Sequence, residues 1–235
     1  MKLLILSILL SLTACNKKEI EMEKPYIKPI EPQTTSNYLA LGDSYTIGEG
    51  VLVTERWPVQ LAAALTQEGI PVETPQIIAR TGWTTDELMI AIEAAQIKDT
   101  FDLVSLLIGV NNQYRGRSVE QFRADLILLI NKALEFAGND PNKVFMLSIP
   151  DWGATPFAEG RDRDKIAREI DAYNSVIWQE TNARNILFVD ITRISREALT
   201  DQSLLAADRL HPSGSMYSQW VQELLPKLKL RLQKP

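Results

Sequence analysis

The sequence predicts an α/β domain built on a parallel sheet. From residue 38 onward, short apolar runs with strand character alternate with longer stretches of helical periodicity. One run, residues 101–108, is apolar at nearly every position, as a strand covered on both faces must be. The residues able to do chemistry stand just after these runs, at the carboxyl ends of strands, where open parallel sheets place ligands.

Residues 38–41 form the first expected strand and run into Gly42. A helix follows over 57–67, with Pro58 in the first turn, where a missing N–H leaves no helical carbonyl unpaired. Residues 72–79 are the second extended segment and 86–96 an Ala/Ile/Glu-rich helix. The continuous apolar strand 101–108 belongs at the sheet centre. It is followed by a helix over 119–136, a strand over 143–149 that Pro150 ends, and a helix over 162–180 with apolar positions at Ile166, Ile170, Tyr173 and Ile177. Residues 186–189 are the last strand. A final helix starts near 213, with Trp220, Val221, Leu224, Leu225 and Leu228 on one stripe. Five strands with helices between them result.

Length and composition bound the possibilities further. At 235 residues the chain is sized for one folded domain, and 45% apolar with 23% charged residues excludes wholesale disorder. A net charge of −5 without a basic stripe argues against nucleic acid as a partner. One cysteine, Cys15, excludes an internal disulfide and a cysteine-rich zinc site. One histidine, His211, leaves imidazole chemistry a single location.

The amino end has a different character. Lys2 precedes about ten largely apolar residues, the layout of an export signal and too short to span a bilayer. Leu12-Thr13-Ala14-Cys15 resembles the lipobox of bacterial lipoproteins, in which cleavage precedes a cysteine that is then acylated. Residues 1–14 are thus expected to be a signal peptide. Residues 15–37, charged and punctuated by Pro25, Pro29 and Pro32, are expected to be a lipid-anchored tether, with the folded domain over 38–235. These expectations place the protein in a bacterial cell envelope, held at a membrane through Cys15.

Four strand ends carry the candidate chemistry. Gly42-Asp43-Ser44 closes the first strand, where a serine after a tight turn can project its hydroxyl beyond the sheet. Asp208 and His211 stand three apart, a spacing that lets the carboxylate hold the imidazole tautomer and leaves the other ring nitrogen free to take a proton. Gly109-Val110-Asn111 follows the central strand, and an asparagine there can aim its amide at developing negative charge. Gly82, after the second strand, offers a backbone N–H. No Gly-x-Ser-x-Gly elbow occurs, which argues against an α/β-hydrolase. Tyr45, Trp83, Trp152 and Phe157 lie beside these positions; they either wall an acyl pocket, form a sugar platform or pack their loops onto the domain.

Together, Gly42-Asp43-Ser44, Gly82, Gly109-x-Asn111 and Asp208-x-x-His211 resemble, in order and spacing, the four sequence blocks of the SGNH (GDSL) hydrolase superfamily. The resemblance implies a flavodoxin-like, three-layer α/β/α fold and ester hydrolysis through a serine acyl-enzyme, with no metal or other cofactor. It implies Ser44 as nucleophile, His211 as base and Asp208 as its partner. The Ser44 and Gly82 N–H groups and the Asn111 amide would form the oxyanion hole. The third block often continues with Asp where this chain has Asn112. The substrate class stays open among short-acyl esters, lysophospholipids and acylated glycans. An acyltransferase using the same serine and a non-catalytic glycan- or lipid-binding domain are the rival readings.

Overall fold

The computed structural model describes residues 34–232, so the expected signal peptide, Cys15 and most of the expected tether lie outside the described residues. The chain is docked slightly earlier than residue 38. Ser36 bridges to Val72, and the Asn37 carboxamide oxygen accepts the Asp102 N–H at 2.8 Å.

Five parallel strands, β1 (Tyr38–Gly42), β2 (Gln76–Ala79), β3 (Leu103–Leu107), β4 (Val144–Leu147) and β5 (Leu187–Val189), pair in the order β2-β1-β3-β4-β5. This is the doubly wound order in which the chain reverses direction between β1 and β3, and that crevice is where such sheets bind ligands. β1, β3 and β4 are buried along their whole length. The central position read for residues 101–108 is observed. The one polar side chain of β3, Ser105, is paired with the Tyr38 hydroxyl at 2.8 Å, which satisfies both groups in the core.

The long helices are α2 (Trp57–Gln67), α3 (Thr85–Ala94), α5 (Val119–Phe136), α6 (Arg163–Ala183) and α8 (Gly214–Leu232). α2 packs on α8, while α5 packs between α3 and α6, so the sheet is covered on both faces. Phe122 of α5 stacks on Tyr173 of α6 with ring centroids 4.4 Å apart, and Trp57 of α2 meets Phe145 of β4 edge-on at 6.3 Å. Three short helices complete the set: α1 (Ser44–Ile47), α4 (Val110–Tyr114) and α7 (Thr192–Arg196). Each has five residues or fewer, too short for apolar periodicity to register.

The second strand is shorter than the sequence suggests. Pro75 has no N–H to give the ladder, so β2 begins only at Gln76 and Val72 keeps an isolated bridge. The segment after β4 is a pair of single 3₁₀ turns, Trp152–Ala154 and Pro156–Ala158. It is tied down by Asp151, whose carboxylate accepts from the Gly153 N–H and from Arg196, both at 2.9 Å.

Candidate active site

Ser44 opens α1 directly after β1. The turn is tight because β1 ends against its neighbour: a Cβ on Gly42 would stand 2.5 Å from the Leu107 carbonyl of β3 and 2.2 Å from Thr46 Oγ1. Asp43 caps the helix, its Oδ1 accepting the Tyr45 N–H at 3.1 Å, while Oδ2 is buried with no partner. Burial pushes the Asp43 carboxyl up to about 7, against the hydrogen bonds from the Tyr45 N–H and its own N–H. Asp43 therefore belongs to the packing beneath the serine.

His211 arrives from the opposite end of the domain on a loop that closes on itself. Its carbonyl accepts the Ala206 N–H at 2.8 Å, and Leu205 bridges to Pro212. Asp208 Oδ2 lies 2.6 Å from His211 Nδ1, and Asp208 Oδ1 accepts the N–H groups of Leu210 and His211, each at 3.0 Å. This double capture needs a left-handed residue between them, which is Arg209 at φ +61°. Burial raises the Asp208 pKa, but the His211 ring and the two backbone N–H groups outweigh it and hold the carboxyl below its ordinary value. Asp208 is thus ionised against Nδ1, and Nε2 is the ring atom left for other work. Tyr45 braces the imidazole edge-on with centroids 5.6 Å apart, and Trp220 of α8 backs Tyr45 at 6.3 Å.

Ser44 and His211, 4% and 8% exposed, line one cavity of about 170 Å³. No hydrogen bond joins Ser44 Oγ to Nε2 in this arrangement, a looseness common in ligand-free sites. Gly82 and Asn111 line the same cavity. Among the described residues, no acceptor takes the N–H of Ser44 or of Gly82. Asn111 Nδ2 donates one hydrogen to the Trp83 carbonyl at 2.9 Å and keeps its second for the cavity. Arg115 holds the Gly82 carbonyl at 2.7 Å and pairs with Glu87 at 3.1 Å, fixing the 80–85 turn from behind. Three strand-end loops and the loop before α8 thus bring a hydroxyl, an imidazole and three N–H donors to one apolar pocket. This set can activate an oxygen nucleophile and stabilise an oxyanion.

Two residues next to the site face away from the cavity. The Trp83 indole packs partly buried against the core and does not line the cavity; only its carbonyl serves the site, through Asn111. Asn112 points away into α3, where Oδ1 accepts the Thr85 N–H at 3.1 Å and Nδ2 donates to Thr85 Oγ1 at 2.7 Å, which in turn donates to Asp125 at 3.0 Å. An aspartate there could not begin that donor chain, so the asparagine fits its surroundings.

Tyr45, Trp152 and Phe157 do line the cavity, with Tyr114, which the sequence reading missed. Tyr114 sits three residues after Asn111 in α4, one helical turn on and on the same face, a relation visible only once that segment is known to be helical. Trp152 is anchored by its Nε1 donating to Gln113 at 2.8 Å, and Gln113 donates to Glu169 at 2.7 Å. Among the described residues, no cluster of metal-ligating side chains occurs and no helix is long and apolar enough to cross a membrane.

The chain is similar to several known proteins. An acetylxylan esterase from Geobacillus stearothermophilus is 26% identical over 189 residues, covering 77% of this chain and 79% of that protein. Among solved structures, TesA superposes with a TM-score of 0.65 at 21% identity, over 83% of this chain and 99% of that one. The psychrotrophic esterase EstA from Pseudoalteromonas sp. gives 0.66 at 17% identity, over 85% and 100%. These structural likenesses show a shared fold. Residues 40–219, most of the chain, match the GDSL-like lipase/acylhydrolase family. The chain therefore belongs to that family and is a serine ester hydrolase.

Proposed function

We propose that the protein removes short acyl groups, acetyl in the first place, from hydroxylated carbohydrate or lipid substrates through an acyl-enzyme on Ser44. The observation that carries this is the convergence of Ser44, His211 and three N–H donors on a 170 Å³ cavity, with Asp208 2.6 Å from His211 Nδ1. That volume is small beside the roughly 300–1,000 Å³ of pockets for drug-sized ligands, which favours a short acyl group. The acetylxylan esterase relative supports the same choice.

In this reading neutral His211 takes the Ser44 proton at Nε2 as Oγ attacks the ester carbonyl. The tetrahedral oxyanion forms between the Ser44 and Gly82 N–H groups and the free hydrogen of the Asn111 amide. The imidazolium, held by ionised Asp208, then returns its proton to the leaving alcohol. Water, deprotonated by the same nitrogen, attacks the acyl-serine and frees the acid. Hydrolysis of 4-nitrophenyl acetate and of acetylated xylo-oligosaccharide by the parent, and its loss in Ser44→Ala, is the test. Equal turnover by the two proteins would overturn the reading, and product analysis with an added alcohol separates hydrolysis from acyl transfer.

Export and lipid anchoring at Cys15 complete the proposal, supported by the lipobox-like Leu12-Thr13-Ala14-Cys15 and the proline-spaced tether. Labelling with palmitate in a bacterial host should mark the membrane-bound parent. Cys15→Ala should lose both label and membrane attachment; a variant that kept both would remove the anchor from this account.

A further inference from the structure

Arg161 occupies an unusual place beside the cavity. Its guanidinium carbon lies 5.4 Å from the ring centre of Tyr114, 5.4 Å from that of Trp152 and 5.9 Å from that of Phe157. All three rings line the pocket that holds Ser44 and His211. They also pack on one another, Tyr114 on Trp152 at 5.3 Å and Phe157 on Trp152 at 6.0 Å, so one cation is shared by a three-ring cluster. Trp152 is buried at its base, whereas Tyr114 and Phe157 are 47% and 45% exposed.

Among the described residues, no carboxylate engages the guanidinium. Arg115, Arg117, Arg123, Arg184, Arg193 and Arg196 each pair with a carboxylate. Among the described residues Arg161 has no carboxylate within ion-pair reach, although Glu159 and Asp162 flank it in sequence. Asp162 is turned away, capping α6 by accepting the Lys165 N–H at 2.9 Å. Among the described residues, the only hydrogen bond of the Arg161 guanidinium is a long one, donated at 3.4 Å to the Tyr114 hydroxyl. Ring contacts attract the guanidinium as a cation and hold it in place, while its N–H fork remains free for a carboxylate or phosphate.

We propose that Arg161, held on the Tyr114–Trp152–Phe157 cluster, is an anion subsite that selects esters carrying a negative charge on the alcohol side. This rests on the ester-hydrolase reading with Ser44 as nucleophile. The acyl group fills the small cavity, the leaving group runs out over the exposed faces of Tyr114 and Phe157, and its anionic group reaches Arg161 beyond them. The two exposed rings suit a sugar or glycerol unit, so an acidic glycan and a phosphorylated glycerol present the same chemistry to the subsite.

The test uses matched acetyl esters: of a methyl glucuronoside and a methyl glucoside, and of glycerol 3-phosphate and glycerol. The parent should favour the charged member of at least one pair by about tenfold in kcat/KM, chiefly through KM. Which pair shows the preference tells carboxylate from phosphate. In Arg161→Gln the ratio should fall towards one, and Arg161→Lys should restore part of it. A parent ratio near one in both pairs, or a ratio unchanged in Arg161→Gln, would overturn the subsite; a merely structural arginine would lower both members of a pair alike. Calorimetric binding of the unesterified glucuronoside and of glycerol 3-phosphate to parent and Arg161→Gln needs no turnover. It reads the subsite even if 4-nitrophenyl acetate shows the esterase reading to be wrong, and equal affinity in the two proteins would again refute it.

Discussion

Asp43 is the residue whose sequence context says least about its physical state. It stands next to Ser44 in a motif-like triplet, yet it is sealed beneath the turn with one oxygen capping α1 and the other unpartnered. Burial raises its carboxyl from 3.8 to about 7. The unfolded chain releases this proton near pH 4 while the folded protein keeps it to about 7. The native state is therefore favoured in full below pH 4, and that advantage is lost as the pH rises to 7, on the order of 4 kcal/mol by this group alone. Asp43→Asn keeps an oxygen for the Tyr45 N–H and cannot ionise. Its melting temperature, relative to the parent's, should climb from pH 4 to 7 and level off above; a difference independent of pH would show that Asp43 does not carry the raised value. The spacing of Asp208 and His211, by contrast, could be read from sequence, because a carboxylate three residues before a histidine needs only one turn to reach Nδ1. That the turn demands a left-handed Arg209 could not, since nothing in an arginine announces a positive φ.

Elements repeat the pattern. The long helices and buried strands were legible because they bury continuous apolar stripes, and α2 and α5 end where the sequence placed them. The short elements were not, and two of them, α1 and α4, carry side chains that line the cavity. α4 is the clearest case: five residues deliver Asn111 and Tyr114 to the cavity and Asn112 to the opposite side. Its entry depends on Gly109, at φ +128°, where a Cβ would stand 2.7 Å from Phe122 and 2.8 Å from Ile149. Trp83 shows the same limit: adjacency to Gly82 in sequence leaves pocket wall and loop packing both open, and the structure packs the indole against the core. In the proposed mechanism Asn111, tied to the Trp83 carbonyl, donates to the oxyanion, so Asn111→Ala should lower kcat by about 10²–10³-fold. KM for a small acetyl ester should change little, because the donor acts on charge that develops after binding. A kcat within threefold of the parent would remove Asn111 from the oxyanion hole.

At the scale of the whole molecule, the site is made by joining the two ends of the domain. Ser44 follows the first strand and His211 precedes the last helix, and the packing of α2 against α8 keeps these distant segments together. An aromatic chain runs from Tyr217 to Trp220 of α8, 5.0 Å between centroids, then to Tyr45 and to the edge of His211. Trp220 and Leu228 are both fully buried in α8, but only Trp220 belongs to that chain. Truncating either should destabilise the fold, by about 3–5 kcal/mol for Trp220→Ala and 2–5 kcal/mol for Leu228→Ala, measured by urea unfolding. Their effects on catalysis should separate. Well below both transitions, Leu228→Ala should keep the parent kcat, since its cavity lies away from the imidazole. Trp220→Ala frees Tyr45 to shift and so loosens His211, which should lower kcat several-fold. Trp220→Phe gives the control: it keeps a ring behind Tyr45 and removes an indole N–H that has no hydrogen-bond partner, so it should recover most of both stability and kcat. If Trp220→Ala and Leu228→Ala reduce kcat equally once folded, α8 holds the domain together without positioning the base, and the bracing of His211 must be sought in its own loop.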